Sequence, residues 1–210
     1  MSLVSQLSSR TGDRTEESNR LVAQACLAEP ALLEELAEAL TGKDAALLGD
    51  CAEVFTKVAE AKPELSLPYF ERLVPLLAHK TTRVRWEAMH AIALLAEHAP
   101  TERMLALVPQ LAGLLCADGS TIVRDYAVDA LGGMAKAGEA SAQAAYPVLV
   151  EALSVWDGKH LGRALTALSR VVVSAPGMAI EALQYGYDYA DHSKGVVKKA
   201  AKALIKAAER

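Results

Sequence analysis

The amino-acid sequence predicts an all-α protein in which helical hairpins stack as a solenoid, and three observations carry the prediction. Apolar residues recur at i, i+3, i+4 and i+7 along nearly the whole chain, the spacing that gives a helix one dry face. One helix type returns every 36–39 residues, a period typical of stacked repeats whose hairpins cannot bury an apolar stripe alone. The composition is 52% hydrophobic but only 5% aromatic, which suits close packing of alanine and leucine on helices better than strands.

The elements follow in order. Residues 1–29 read as an N-terminal capping region with a helix from about Thr15 to Ala28, and residues 30–210 as one array of about five hairpins. The first helices align by period. Leu33, Leu36, Ala39 and Leu40 shift by 37 onto Phe70, Leu73, Leu76 and Leu77, and by a further 38 onto Val108, Leu111, Leu114 and Leu115. Another 38 reaches Tyr146, Leu149, Ala152 and Leu153, and a weaker fifth copy lies near Ile180 and Leu183.

The second helices align through VRWEAMHAIALLA, which begins at Val84, and VRDYAVDALGGMA, which begins at Val123. Cys51, Val54 and Phe55 mark the earlier copy; Ala164, Ala167 and Leu168, then Ala200, Ala203 and Leu204, mark the later ones. Pro63, Pro68, Pro100 and Pro176 fall between units or at helix starts, where a missing N–H costs nothing. Asp44, Asp118, Asp157 and Asp191 precede second helices, where a carboxylate can cap free N–H groups.

The stretch DGSTIVRDYAVDALGGMA, with Asp118 six residues before Arg124, resembles the second-helix signature of the HEAT-repeat family in its compact bacterial form. The resemblance spans about Pro30 to Arg210. It implies a right-handed α-α superhelix whose concave face is built from second helices. It also implies a ladder of turn Asp and helix Arg between repeats. That ladder is partial here. The fourth unit keeps Asp157 and Arg163, the fifth has Lys198 in place of Arg, and the second has Lys80 and Thr81 in its turn and no Asp.

At about 100° per residue, Val84, Ala88, Ala91, Ile92 and Leu95 share one face of their helix, and Trp86, His90, Ala93 and Glu97 fall opposite. Carried through the repeats, that opposite face becomes a ridge. It includes Gly49, Glu53 and Thr56, then Asp125, Asp129 and Gly132, then Gly162 and Thr166, and finally Lys198 and Lys202. Trp86 and His90 are the candidate contact residues, since tryptophan dominates binding hot spots. Trp86 also suits a second role, filling a gap between units. Asp125 and Asp129 are the candidate polar determinants, with Lys198 and Lys202 at the far end. Glycine inside a helix costs about 0.8–1 kcal/mol relative to alanine, so Gly132 marks a close approach, either by a ligand backbone or by a neighbouring helix.

The remaining features narrow the function. A net charge of −4 gives no global case for nucleic acid. Charge is nevertheless graded: residues 1–75 hold seven basic and thirteen acidic side chains, residues 191–210 six and two. Cys26, Cys51 and Cys116 are far apart and read as buried small residues in a reducing compartment. No uninterrupted apolar run suits a membrane span, and no basic-then-apolar leader is visible. No HExxH, CxxC or GxGxxG occurs. Asp188, Asp191 and His192 can share a helix face but lack a fourth metal ligand. No catalytic residue, metal or cofactor is therefore assigned.

The expectation is a monomeric, cytoplasmic, non-enzymatic scaffold for a protein or peptide partner. The alternative is a nucleic-acid binder using the basic C-terminal repeat with Lys194, Lys198, Lys199, Lys202, Lys206 and Arg210, against which Asp125 and Asp129 would repel phosphates. The resemblance also brings two enzyme alternatives, HEAT-like DNA glycosylases and bilin lyases. No residue stands out for either chemistry.

Overall fold

The structure, a computed structural model, describes residues 2–210. Among these, every regular element is helical. Helices of seven residues or more are numbered here. They are α1 (Glu17–Ala28), α2 (Leu33–Ala39), α3 (Ala45–Ala61), α4 (Thr82–Leu95), α5 (Thr101–Ala117), α6 (Thr121–Met134), α7 (Glu139–Glu151), α8 (Leu161–Ser174), α9 (Ala179–Tyr189) and α10 (Gly195–Ala208). No described helix is long and apolar enough to cross a membrane.

The chain divides into two compact units, the first ending at His98 and the second running Ala99–Arg210. The sequence suggested a boundary near residue 29 and one array beyond it. The boundary between the two compact units lies in the turn before Pro100. In the first unit α4 packs along α3, and α1 covers the other side of α3. Leu48, Val54, Phe55 and Val58 of α3 and Val84, Ala88, Ala91, Ile92 and Leu95 of α4 form the dry seam. The first helix of the second hairpin is not continuous. Residues 63–78 form short pieces, Pro63–Ser66, Leu67–Tyr69, Phe70–Leu73 and Val74–Ala78. Pro68 and Pro75 each remove a backbone donor there, yet Phe70, Leu73, Leu76 and Leu77 still bury as the period requires.

In the second unit, α6, α8 and α10 lie side by side, with α5, α7 and α9 as their hairpin partners. Val123, Ala127 and Leu131 of α6, Ala164, Leu165 and Leu168 of α8, and Ala201 and Leu204 of α10 are buried.

Four of the turns within hairpins share one device. An acceptor side chain takes the backbone N–H two residues on: Asp44 from Ala46 at 3.0 Å, and Asp118 from Ser120 at 2.8 Å. In the turn that has no aspartate, the Nδ1 of His79 accepts from Thr81 at 3.1 Å. In the last hairpin the acceptor is His192 Nδ1, from Lys194 at 3.0 Å, rather than Asp191, which pairs with Lys198 at 3.6 Å. An imidazole nitrogen therefore does the work of a carboxylate oxygen. Asp157, also expected to cap, sits at φ +54° in a loop where Trp156 and Gly158 are left-handed too.

The Val-Arg signature has a local meaning as well. Arg85 donates to the carbonyls of His79 (2.8 Å) and Lys80 (3.0 Å), and Arg124 donates to the carbonyl of Asp118. Each arginine thus reaches back six residues to tie down the turn before its helix. Finally, Cys26 and Cys51 are buried but Cys116 is exposed, its Sγ 3.3 Å from Glu151 Oε1. The expectation of three buried thiols fails at Cys116 because that stretch of α5 faces outward.

Candidate functional site

A helix in a side-by-side row has neighbours on both flanks, so the face opposite its core is only partly wet. This corrects the ridge expected from the sequence. In the first unit, Glu53 and Thr56 are buried under α4. A Cβ added at Gly49 would lie 3.3 Å from Arg83 Nη1, and the Thr56 hydroxyl donates to the Glu87 carbonyl at 3.1 Å. Gly132 in the second unit is buried in the same way: an added Cβ would meet the Cβ of Ala167 at 2.8 Å. Of its two sequence readings, close packing by the neighbouring helix accounts for the glycine, because α8 fills the space a ligand backbone would need.

The first unit holds a buried polar cluster. Arg83 Nη2 lies 2.8 Å from Asp50 Oδ1 and 2.9 Å from Glu53 Oε2. Asn19 Nδ2 donates to the same two oxygens at 3.1 and 2.8 Å, and the Ser9 N–H donates to Asp50 at 2.7 Å. Burial works against the Asp50 carboxylate, but the hydrogen bonds from Ser9, Asn19 and Arg83 hold its pKa below the ordinary value.

Trp86 is half-buried, and its indole N–H donates to Glu87 Oε1 at 2.7 Å. His90 is also half-buried, with Nε2 3.9 Å from Glu60 Oε1. Burial pushes the Glu87 carboxyl up to about 7. A carboxyl raised in the folded state favours folding while protonated and loses that advantage as pH rises from its unfolded value through its folded one. Glu87→Gln is therefore expected to gain on the order of 1–3 kcal/mol over the parent above pH 7 and nothing near pH 4. Urea midpoints of both chains across that range check this; a pH-independent difference would contradict it.

In the second unit the corresponding row is more open. Arg124, only 2% exposed, donates through Nε to His160 Nε2 at 3.1 Å. The imidazole proton therefore sits on Nδ1, which donates to Asp125 Oδ1 at 2.8 Å. Arg163 lies 3.3 Å from that oxygen and pairs with Asp129. Burial raises the Asp129 carboxyl, with Arg163 and Arg170 acting against it. On its other side, the Arg124 guanidinium stacks 3.8 Å from the ring centre of Trp156, whose indole N–H donates to the Leu115 carbonyl at 2.9 Å. The ladder between repeats is thus built from Arg163 with Asp125 and Asp129, not from the turn aspartates.

Above this ladder lies a groove of about 550 Å³ whose wall includes Asp125, Asp129, Arg163, Thr166, Lys194 and Val196. It spans α6, α8 and the start of α10. Of the sequence-predicted residues, Asp125 and Asp129 line it. Trp86 and His90 belong to the first unit. Lys198 faces Asp191, and Lys202 is exposed outside the groove's wall. Sequence reasoning missed the roles of His160 and Trp156, which sit at a helix start and in a loop where a helical period says nothing, and it placed Lys194 in the basic C-terminal repeat rather than beside Asp125 and Asp129.

With this geometry in place, the class of protein is plain: the chain has the fold of an armadillo-like helical-repeat solenoid. The structure is similar to that of a designed armadillo repeat protein in complex with the peptide (KR)4, with 21% identity, a TM-score of 0.75, and coverage of 98% of this chain and 97% of that one. It is likewise similar to computationally designed armadillo repeat proteins for modular peptide recognition, with 23% identity, a TM-score of 0.72 and 98% of each chain covered. A third likeness is to an engineered protein, with 22% identity, a TM-score of 0.71, and 99% and 95% covered. No family model matches the sequence. No curated protein matches it.

Proposed function

We propose that this chain is a non-enzymatic scaffold that holds a peptide or an extended segment of a protein against its second helices. The observation that carries the reading is the open groove across α6, α8 and α10, whose polar wall is fixed in place by Arg163 and His160. Preorganised walls of this kind lower the ordering cost of binding. Two of the similar structures are described as designed armadillo proteins for peptide recognition or with a bound peptide, which supports the same use of the fold.

Asp125 and Asp129 are the proposed polar contacts, as acceptors for backbone N–H groups of the peptide. The test is a peptide-display selection against the whole chain, followed by calorimetry on the enriched peptides. Thr166 is exposed in the groove, so Thr166→Arg should fill it and weaken binding at least about tenfold, roughly 1.4 kcal/mol. No enrichment over a folded control, or an unchanged affinity in Thr166→Arg, would defeat the proposal.

A further inference from the structure

Two recesses lie along the seam between α8 and α10. The first is the groove just described. The second, of about 380 Å³, is lined by Lys136, Arg170, Val173 and Ala203 among others. Each exposes one valine on its wall: Val196 is 71% exposed in the first and Val173 66% exposed in the second. A single exposed valine is ordinary; here one stands on the wall of each recess along the same seam.

Each valine is flanked by cations. In the first recess Arg163 is shared by Asp125 and Asp129, and the neutral His160 adds a hydrogen bond to Asp125, so these groups together keep one negative charge. Lys159 and Lys194 line the same recess, are exposed, and have no ion-pair partner among the described residues. With Arg163, Lys159 and Lys194 against Asp125 and Asp129, the wall carries a net positive charge, and its two unpaired cations are the lysines. The second recess carries Lys136 and Arg170 and no carboxylate in its wall. Further along α10, Lys199, Lys202 and Lys206 are exposed.

From this complementarity we infer that the α8–α10 seam docks an acidic peptide segment carrying two aliphatic side chains, one for each valine recess, with carboxylates on Lys159 and Lys194. This rests on the peptide-scaffold reading above and names its partner's chemistry. The recesses are centred about eight residues apart on α8, or about 12 Å, which an extended chain covers in about four residues. A phosphate backbone satisfies the lysines but gives the two valines nothing to bury against.

The test uses the full chain and three fluorescent probes in polarisation assays: a glutamate-rich peptide with two leucines about four residues apart, a lysine-rich peptide with the same leucines, and a mixed-sequence DNA duplex. Only the acidic peptide should bind tightly. Lys159→Glu with Lys194→Glu should weaken it at least about tenfold, and so should Val196→Ser, with circular dichroism unchanged because these side chains are exposed. Tighter binding of the lysine-rich peptide would overturn the inference while leaving the scaffold reading intact; binding of no peptide at all would remove both. Stronger binding of the duplex, with a steep salt dependence and no response to Val196→Ser, would overturn it in favour of nucleic acid.

Discussion

Replacing Arg124 with methionine is expected to destabilise the second unit by about 3–5 kcal/mol. Arg124 has the largest fully buried side chain among the described residues. Its removal takes away the donor to His160 Nε2 and the bond to the Asp118 carbonyl, and an unsatisfied buried group costs about 1–3 kcal/mol. It also removes the cation over Trp156, worth up to about 2 kcal/mol where desolvated. Arg124→Lys should recover only part of this, because an ammonium cannot reach the carbonyl, the Thr121 hydroxyl and the imidazole with one planar fork. The two tryptophans allow a direct measurement, since Trp86 belongs to the first unit and Trp156 to the second. In a Trp86→Phe background, urea unfolding followed by Trp156 fluorescence reads the second unit. A loss below about 1 kcal/mol would show that the surrounding groups find other partners.

Arg83→Met should be comparably damaging to the first unit, again about 3–5 kcal/mol, for a different reason. Asp50 and Glu53 have almost no exposed side-chain surface, so removing Arg83 strands two carboxylates, with Asn19 as a neutral donor and Lys57 on the far oxygen of Glu53. The folded-state pKa of Asp50 is depressed, so its contribution is present above the ordinary carboxylate value and is lost as pH falls through the depressed one. The gap between Arg83→Met and the parent should therefore be widest near neutrality and shrink below about pH 4. Adding Asp50→Asn to Arg83→Met should restore part of the stability at pH 7, because a neutral amide needs no counter-ion. A gap that stays constant across pH would mean that the arginine matters through packing rather than charge.

Much of the fold was legible because burial in a repeat array obeys the helical period. Val84, Ala88, Ala91, Ile92 and Leu95 were placed inward from spacing alone, and all are fully buried. The ridge was less legible. Spacing separates a core face from its opposite, but it does not divide that opposite face between solvent and the next helix in the row. Glu53, Thr56 and Gly132 therefore looked outward in sequence and lie covered in the structure. The turns were hidden for a chemical reason: His79 and His192 accept the N–H that aspartate takes elsewhere, so a search for the residue type misses a shared role. The left-handed loop at Trp156 is harder still, since neither Trp156 nor Asp157 is a residue that favours positive φ as glycine does. The tryptophan's grip on Leu115 and Arg124 holds that conformation, and both partners are distant in sequence.

The unequal surroundings of the three thiols carry a practical consequence for spectroscopy. Burial pushes Cys26 to about 11 and Cys51 to about 12 and keeps both from an alkylating dye, whereas Cys116, raised too by partial burial and the Glu151 carboxylate, stands open to solvent beside the carbonyl that receives the Trp156 indole. The unaltered chain thus has a single natural attachment point for a fluorophore, within reach of an intrinsic quencher.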